Sequence, residues 1–175
     1  MLKAEEIAPE HPRVLFYLGL YYEKTDDFEK AIEYYKRSLK IENDSGTNAS
    51  LSVCCYAIGK FEEALKYAKE AYYLEPNCID NLFYYTRLLV VNKKYQDGFD
   101  VFKSTQLNYD EDKELLITYI ICSLRTGNTN NADDAYTKLQ KVDDTSRMVC
   151  DYEGVKSSIL LELNQGNTRT VGFSR

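Results

Sequence analysis

The chain has 175 residues, enough for a substantial core, and its formal net charge is −6. Hydrophobic residues make up 44% and charged residues 29%, a balance typical of folded proteins that argues against global disorder. The acidic charge argues against nucleic acid or an anionic membrane as a partner. No apolar run reaches the ~18–20 residues of a membrane span. The first six residues do not read as a signal peptide, so we expect a cytoplasmic protein.

Helix-breaking residues are scarce, with 3 prolines and 8 glycines in the whole chain, which favours long helices. The 5 cysteines form no C-x-x-C pair, so we predict reduced thiols buried in helix contacts rather than a disulfide framework or a zinc site. The single histidine, His11, lies between two prolines, where we expect an exposed turn. No phosphate loop, nucleophile elbow or metal-binding helix pair is present. The sequence therefore predicts no enzyme, no cofactor and no metal.

A repeat of 33 to 34 residues runs along the chain. The small residues Ala31, Ala64, Gly98 and Ala132 are spaced by 33, 34 and 34 positions. Four residues after each comes a second column, with Tyr35, Ala68, Phe102 and Tyr136. Independent columns with one period indicate a repeat architecture.

This period predicts the boundaries of the repeats in chain order. Residues 1–11 are predicted to be the remnant of a preceding repeat. The four full repeats are then 12–44, 45–78, 79–112 and 113–145, and a partial C-terminal repeat covers 146–175. Each full repeat is predicted to be a pair of amphipathic helices, as in Leu15, Leu18, Tyr22 and then Phe28, Ile32, Tyr35. Asp27 is the predicted N-cap of the second helix of repeat 1, and Gly166 to Thr168 repeats the turn sequence Gly127 to Thr129.

This pattern resembles the tetratricopeptide repeat family. The residues that carry the resemblance are Leu18, Gly19, Tyr22, Ala31, Ala64, Pro76, Gly98 and Ala132. The resemblance implies an all-α, right-handed superhelical solenoid of antiparallel helix pairs. It implies a protein-interaction scaffold or adaptor whose first helices line a concave groove for a peptide or helix. The alternative is the interaction region of a larger enzyme or multi-subunit assembly, and self-association through uncapped ends is a third option.

The register of the resemblance also places the groove residues. We expect partner contacts at Tyr17, Tyr56, Phe83, Tyr84 and Arg87, on three successive first helices. Family members that bind the acidic C-termini of chaperones do so with lysines, asparagines and an arginine. Those positions here hold Phe16, Leu20, Ser50, Asp80 and Tyr84. The sequence therefore argues against a chaperone clamp on these repeats.

Overall fold

The structure is a computed structural model that describes residues 10–143 and 151–170, with side chains as far as residue 164. All regular secondary structure in these residues is helical. The helices are α1 Pro12–Lys24, α2 Phe28–Ile41, α3 Ser45–Ala57, α4 Phe61–Leu74, α5 Ile79–Val91, α6 Tyr95–Ser104, α7 Lys113–Arg125, α8 Thr129–Val142 and α9 Tyr152–Thr170. The fold is a helical solenoid of antiparallel pairs, so the predicted fold class is confirmed.

Side-chain caps fix where several helices begin. Asp27 accepts a hydrogen bond from the Lys30 backbone N–H at 3.3 Å, which confirms it as the N-cap of α2. Asp44 and Asp112 cap α3 and α7 in the same way. His11, expected in an exposed turn, is exposed and also caps α1, because its Nδ1 accepts from the backbone N–H two residues later. Each cap satisfies an N–H that lacks an intrahelical acceptor.

Four of the short connectors between consecutive helices contain a left-handed residue at a regular spacing. Asp26, Gly59, Lys93 and Gly127 all have φ between 57° and 78°. Their spacing of 33, 34 and 34 residues is that of the small-residue column. Glycine adopts this conformation without strain, whereas Asp26 and Lys93 adopt it at some energetic cost. The 33- to 34-residue period is therefore present in the backbone conformation of the connectors as well as in the positions of the small residues.

The chain divides into two compact units, residues 1–92 and 93–175. In the first unit the predicted small residues Ala31 and Ala64 have no exposed surface, and Leu18 and Gly19 are buried. Tyr22 is half-buried and its ring is stacked on Tyr34, with 5.4 Å between the ring centroids. Pro76 is exposed in the loop between α4 and α5.

In the second unit Gly98 and Ala132 are buried in α6 and α8. The ring of Tyr119 on α7 contacts both Phe99 and Phe102, with centroids 5.9 and 5.0 Å away. Helix α9 is attached to α8 through Tyr152. Its ring is stacked on that of Tyr136, and its hydroxyl donates to Asp133 at 2.7 Å.

One predicted turn is wrong. The structure continues α9 through residues 166–168, where Gly166 to Thr168 predicted a helix-ending turn. The reason lies in the spacing, because Gly166 follows Gly127 by 39 residues. The 34-residue period would place the turn near residue 161, and that region, Leu160 to Glu162, contains no turn-forming residue. The predicted remnant at residues 1–11, and with it self-association through that end, lies outside the described residues apart from Glu10 and His11.

Candidate functional site

Four of the five predicted groove residues lie together on α3 and α5. The Arg87 guanidinium carbon lies 5.8 Å from the ring centroid of Tyr56 and 5.6 Å from that of Phe83. Both distances are within the range of a cation–π contact. The rings of Phe83 and Tyr84 meet edge to face, with 5.3 Å between centroids. Two first helices thus present one cationic side chain among three aromatic rings.

A small hollow opens beside this cluster, and we call it the Arg87 cavity. It has a volume of about 110 Å³, and its lining residues are Ser52, Val53, Tyr56, Tyr84, Arg87 and Leu88. Tyr56 and Tyr84 are 38% and 36% exposed, so they form its rim. Leu88 and Ser52 are buried. The cavity is therefore an apolar recess between two helices with one charged residue in its wall.

Helical spacing explains why these residues share a surface. Phe83 and Arg87 are four residues apart on α5, as are Tyr84 and Leu88, so each pair lies on one face of the helix. Tyr56 occupies the last turn of α3. Its ring also contacts Phe61 at the start of α4, with 5.5 Å between centroids. That contact helps to fix the orientation of the Tyr56 ring beneath Arg87.

The fifth predicted residue, Tyr17, lies elsewhere. It is 56% exposed, and its ring packs edge to face against Phe16 at 5.6 Å. It lines a separate, more polar hollow of about 440 Å³ together with Arg13 and Asp44. The expected set of five is therefore divided between two recesses of the first unit.

Three lining residues of the Arg87 cavity, Ser52, Val53 and Leu88, were not among the five predicted partner contacts. The Ser52 hydroxyl is buried and has no hydrogen-bond partner in the described part of the chain. Two repeat columns in the sequence do indicate a cavity at this position. Ser52 stands in the Gly19 column, and Ala68 replaces the tyrosine of the Tyr35 column. In repeat 1 the Tyr35 ring fills the space beside Gly19, and repeat 2 lacks the equivalent ring.

Three of the described cysteines are buried thiols. Cys54, Cys55 and Cys122 are buried and reduced as predicted, whereas Cys78 is half-buried and Cys150 lies outside the described residues. Burial raises the pKa of the Cys54 thiol to about 12 and that of Cys55 to about 11. Both thiols stay protonated near neutral pH, and a protonated thiol is a poor nucleophile.

Sequence comparison matches the first two helix pairs to a known repeat. Two tetratricopeptide repeat models match residues 12–45 and 47–78. These two helix pairs belong to the tetratricopeptide repeat family. None of the curated proteins compared with this sequence matches it. Proteins of this repeat fold are generally non-catalytic interaction scaffolds. Among the described helices, none has the length and apolarity required to cross a bilayer.

Solved structures of tetratricopeptide repeat proteins share the fold. YrrB, a repeat protein with an unusual peptide-binding site, is 15% identical, with a TM-score of 0.79 over 90% of this chain and 81% of its own. A MamA protein is 17% identical, with a TM-score of 0.76 over 86% and 83% of the two chains. Residues 41 to the end of MamA from Desulfovibrio magneticus RS-1 are 12% identical, with a TM-score of 0.73 over 93% and 97%. The TM-scores show a shared fold, and at these low identities the likeness extends to the fold alone.

Proposed function

We propose that this tetratricopeptide repeat protein is a non-catalytic adaptor that binds a peptide or helix of a protein partner at the Arg87 cavity. The observation that supports this most directly is that four predicted contact residues lie together beside one recess: Tyr56, Phe83, Tyr84 and Arg87. Tyrosine and arginine are enriched among the residues that dominate interface energies. A small apolar recess with a polar rim is the geometry that accepts an anchor side chain.

We propose a cytoplasmic location and a protein partner rather than nucleic acid. The four cysteines in the described residues are all unpaired thiols, as in a reducing compartment. The net charge of −6 disfavours binding to a phosphate backbone. The repeat boundaries at residues 12–44, 45–78, 79–112 and 113–145 remain part of the proposal. With these boundaries, the cavity lies between the first helices of repeats 2 and 3.

The proposal is tested with peptides selected by phage display on the intact chain. Binding of the selected peptides is measured by fluorescence anisotropy for wild type and for Tyr84→Ala and Arg87→Ala. Each substitution is expected to weaken binding by about tenfold or more, since truncation of a hot-spot residue costs about 2 kcal/mol. Circular dichroism and the melting temperature should change little, because both side chains are exposed.

Matched control variants lie on α4, the second helix of the predicted repeat 2. Tyr73→Ala removes a tyrosine that is 62% exposed, and Lys69→Ala removes an exposed cation. Both controls should bind the selected peptides as wild type does. Loss of binding in the α4 variants with normal binding in the Tyr84 and Arg87 variants would place the interface on the second helices and refute the proposal.

A further inference from the structure

Arg87 carries a charge that the described protein does not neutralise. Its side chain is exposed, and it forms no ion pair and donates no side-chain hydrogen bond within residues 10–143 and 151–164. Its contacts in the site are with the rings of Tyr56 and Phe83. Such contacts restrain a guanidinium through its π system and leave its N–H donors available. Arg87 is therefore held in place while its hydrogen-bonding capacity is unused.

The recess beside Arg87 limits the size of a neighbouring side chain. Engineered apolar cavities of about 150 Å³ accept benzene. The Arg87 cavity, at about 110 Å³, is smaller and suits a branched aliphatic side chain better than an indole ring. Val53 and Leu88 supply apolar wall, and Tyr56 and Tyr84 flank the opening. A ligand that fills the recess brings its adjoining residue within reach of the arginine.

We propose that the Arg87 cavity recognises an acidic residue next to a branched aliphatic residue in the partner peptide. The aliphatic side chain fills the recess, and the carboxylate accepts hydrogen bonds from the Arg87 guanidinium. This inference rests on the proposed function, since it names the chemistry of the peptide bound at the same site. A carboxylate matches the planar fork of arginine and forms two parallel charge-assisted hydrogen bonds with it.

The charge around the cavity favours a carboxylate over a phosphate. Arg87 is the one basic residue in the lining of the cavity. Recognition of a phosphorylated residue commonly uses a cluster of arginines, because the phosphate carries close to two negative charges. The chain as a whole is acidic, at −6, so long-range attraction of a highly negative peptide is absent. A single local ion pair with a monoanion is the better match.

The test uses four capped hexapeptides of otherwise identical sequence. Their central pairs are leucine–glutamate, leucine–glutamine, alanine–glutamate and leucine–phosphoserine. Each is titrated into the ¹⁵N-labelled chain, and dissociation constants are taken from the amide shifts of α3 and α5 and from the Arg87 Nε–H resonance. The leucine–glutamate peptide is expected to bind at least about fivefold more tightly than either the leucine–glutamine or the alanine–glutamate peptide. The glutamine peptide loses the charge that pairs with Arg87, and the alanine peptide loses the aliphatic side chain that fills the recess.

Two variants connect the preference to the arginine. In Arg87→Gln the leucine–glutamate and leucine–glutamine peptides should bind equally. Arg87→Lys keeps the charge but lacks the planar fork, so its preference for glutamate should fall between those of wild type and Arg87→Gln. Circular dichroism verifies that both variants are folded.

The outcomes separate this inference from the proposed function. Equal binding of the glutamate and glutamine peptides, a preference that survives in Arg87→Gln, or tightest binding of the phosphoserine peptide would overturn the inference. Absence of α3 and α5 shifts at millimolar leucine–glutamate peptide would overturn it as well. In each case the proposed function stands if the phage-selected peptides still depend on Tyr84 and Arg87. It fails if those peptides bind independently of both residues.

Discussion

The ring of Tyr35 on α2 occupies the space into which a side chain at Gly19 on α1 would extend. A β-carbon built on Gly19 lies 2.6 Å from both Cδ1 and Cε1 of that ring. The Tyr35 hydroxyl donates to the Glu23 carboxylate at 2.6 Å, so the ring is held at both ends. The tyrosine itself has no exposed surface. The close approach of α1 and α2 therefore requires glycine at position 19.

Gly19→Ala is expected to destabilise the fold. The added methyl group overlaps a ring that cannot move without losing its hydrogen bond, and overpacking of this kind costs about 1–3 kcal/mol. The measurement is the free energy of unfolding in urea. Gly46→Ala is the matched control. Its β-carbon makes an ordinary 3.4 Å contact with Asp44, and alanine favours the helix. Equal stability of the two variants would contradict the packing described for Gly19.

Ala64→Leu tests the small-residue column in repeat 2. Ala64 has no exposed surface, so three added carbons have no free volume and should cost about 1–3 kcal/mol. Ala57→Leu makes the same change at an exposed position at the end of α3 and should leave stability nearly unchanged. Thermal melts followed by circular dichroism distinguish the two. An unchanged melting temperature for Ala64→Leu would show that the column does not mark a close helix contact.

Ser52→Ala is expected to leave the protein as stable as wild type or more stable. The buried Ser52 hydroxyl has no partner in the described residues, and an unsatisfied buried hydroxyl costs about 1–3 kcal/mol. Ser38→Ala is the contrasting variant. The Ser38 hydroxyl is also buried, but it donates to the Pro12 carbonyl at 2.9 Å. Removing that bond should lower stability by about 1 kcal/mol. Chemical denaturation of both variants provides the comparison, and a clear loss of stability in Ser52→Ala would reveal a missing partner.

The ion pair between Lys36 on α2 and Glu63 on α4 predicts a specific pH dependence. The two groups lie 2.5 Å apart, and the hydrogen bond from Lys36 lowers the pKa of Glu63. A carboxyl group whose pKa is lowered in the folded state stabilises the fold at pH values above its unfolded-state pKa of about 4.3. That contribution is lost as the pH falls through the lowered pKa. Both side chains are about one-third exposed, so it should remain below about 1 kcal/mol.

Unfolding of wild type and Glu63→Gln in urea at pH 7, 5 and 3 measures this contribution. Wild type should be the more stable protein at pH 7 and pH 5, and the difference should shrink toward pH 3. Glu62→Gln, which removes an exposed neighbouring carboxylate, should show no comparable trend. A difference between wild type and Glu63→Gln that is constant across this range would mean that the ion pair does not stabilise the fold.

The sequence by itself determined the helical class, the 33- to 34-residue period, the cap at Asp27 and the burial of Ala31 and Ala64. These features depend on local backbone preferences and on the spacing of apolar and small residues, both of which are readable along one chain. The same spacing shows why the turn expected at Gly166 is absent, because that glycine is out of phase with the period.

Only the tertiary structure decided which side chains of different helices meet. It placed Arg87 over Tyr56, 31 residues earlier in the chain, and left Tyr17 in a separate hollow. It paired Lys36 with Glu63 and left the Ser52 hydroxyl without a partner in the described residues. A period specifies which face of a helix is buried. Contacts between helices also depend on their crossing angles and on side-chain rotamers, which are settled only when the whole core packs.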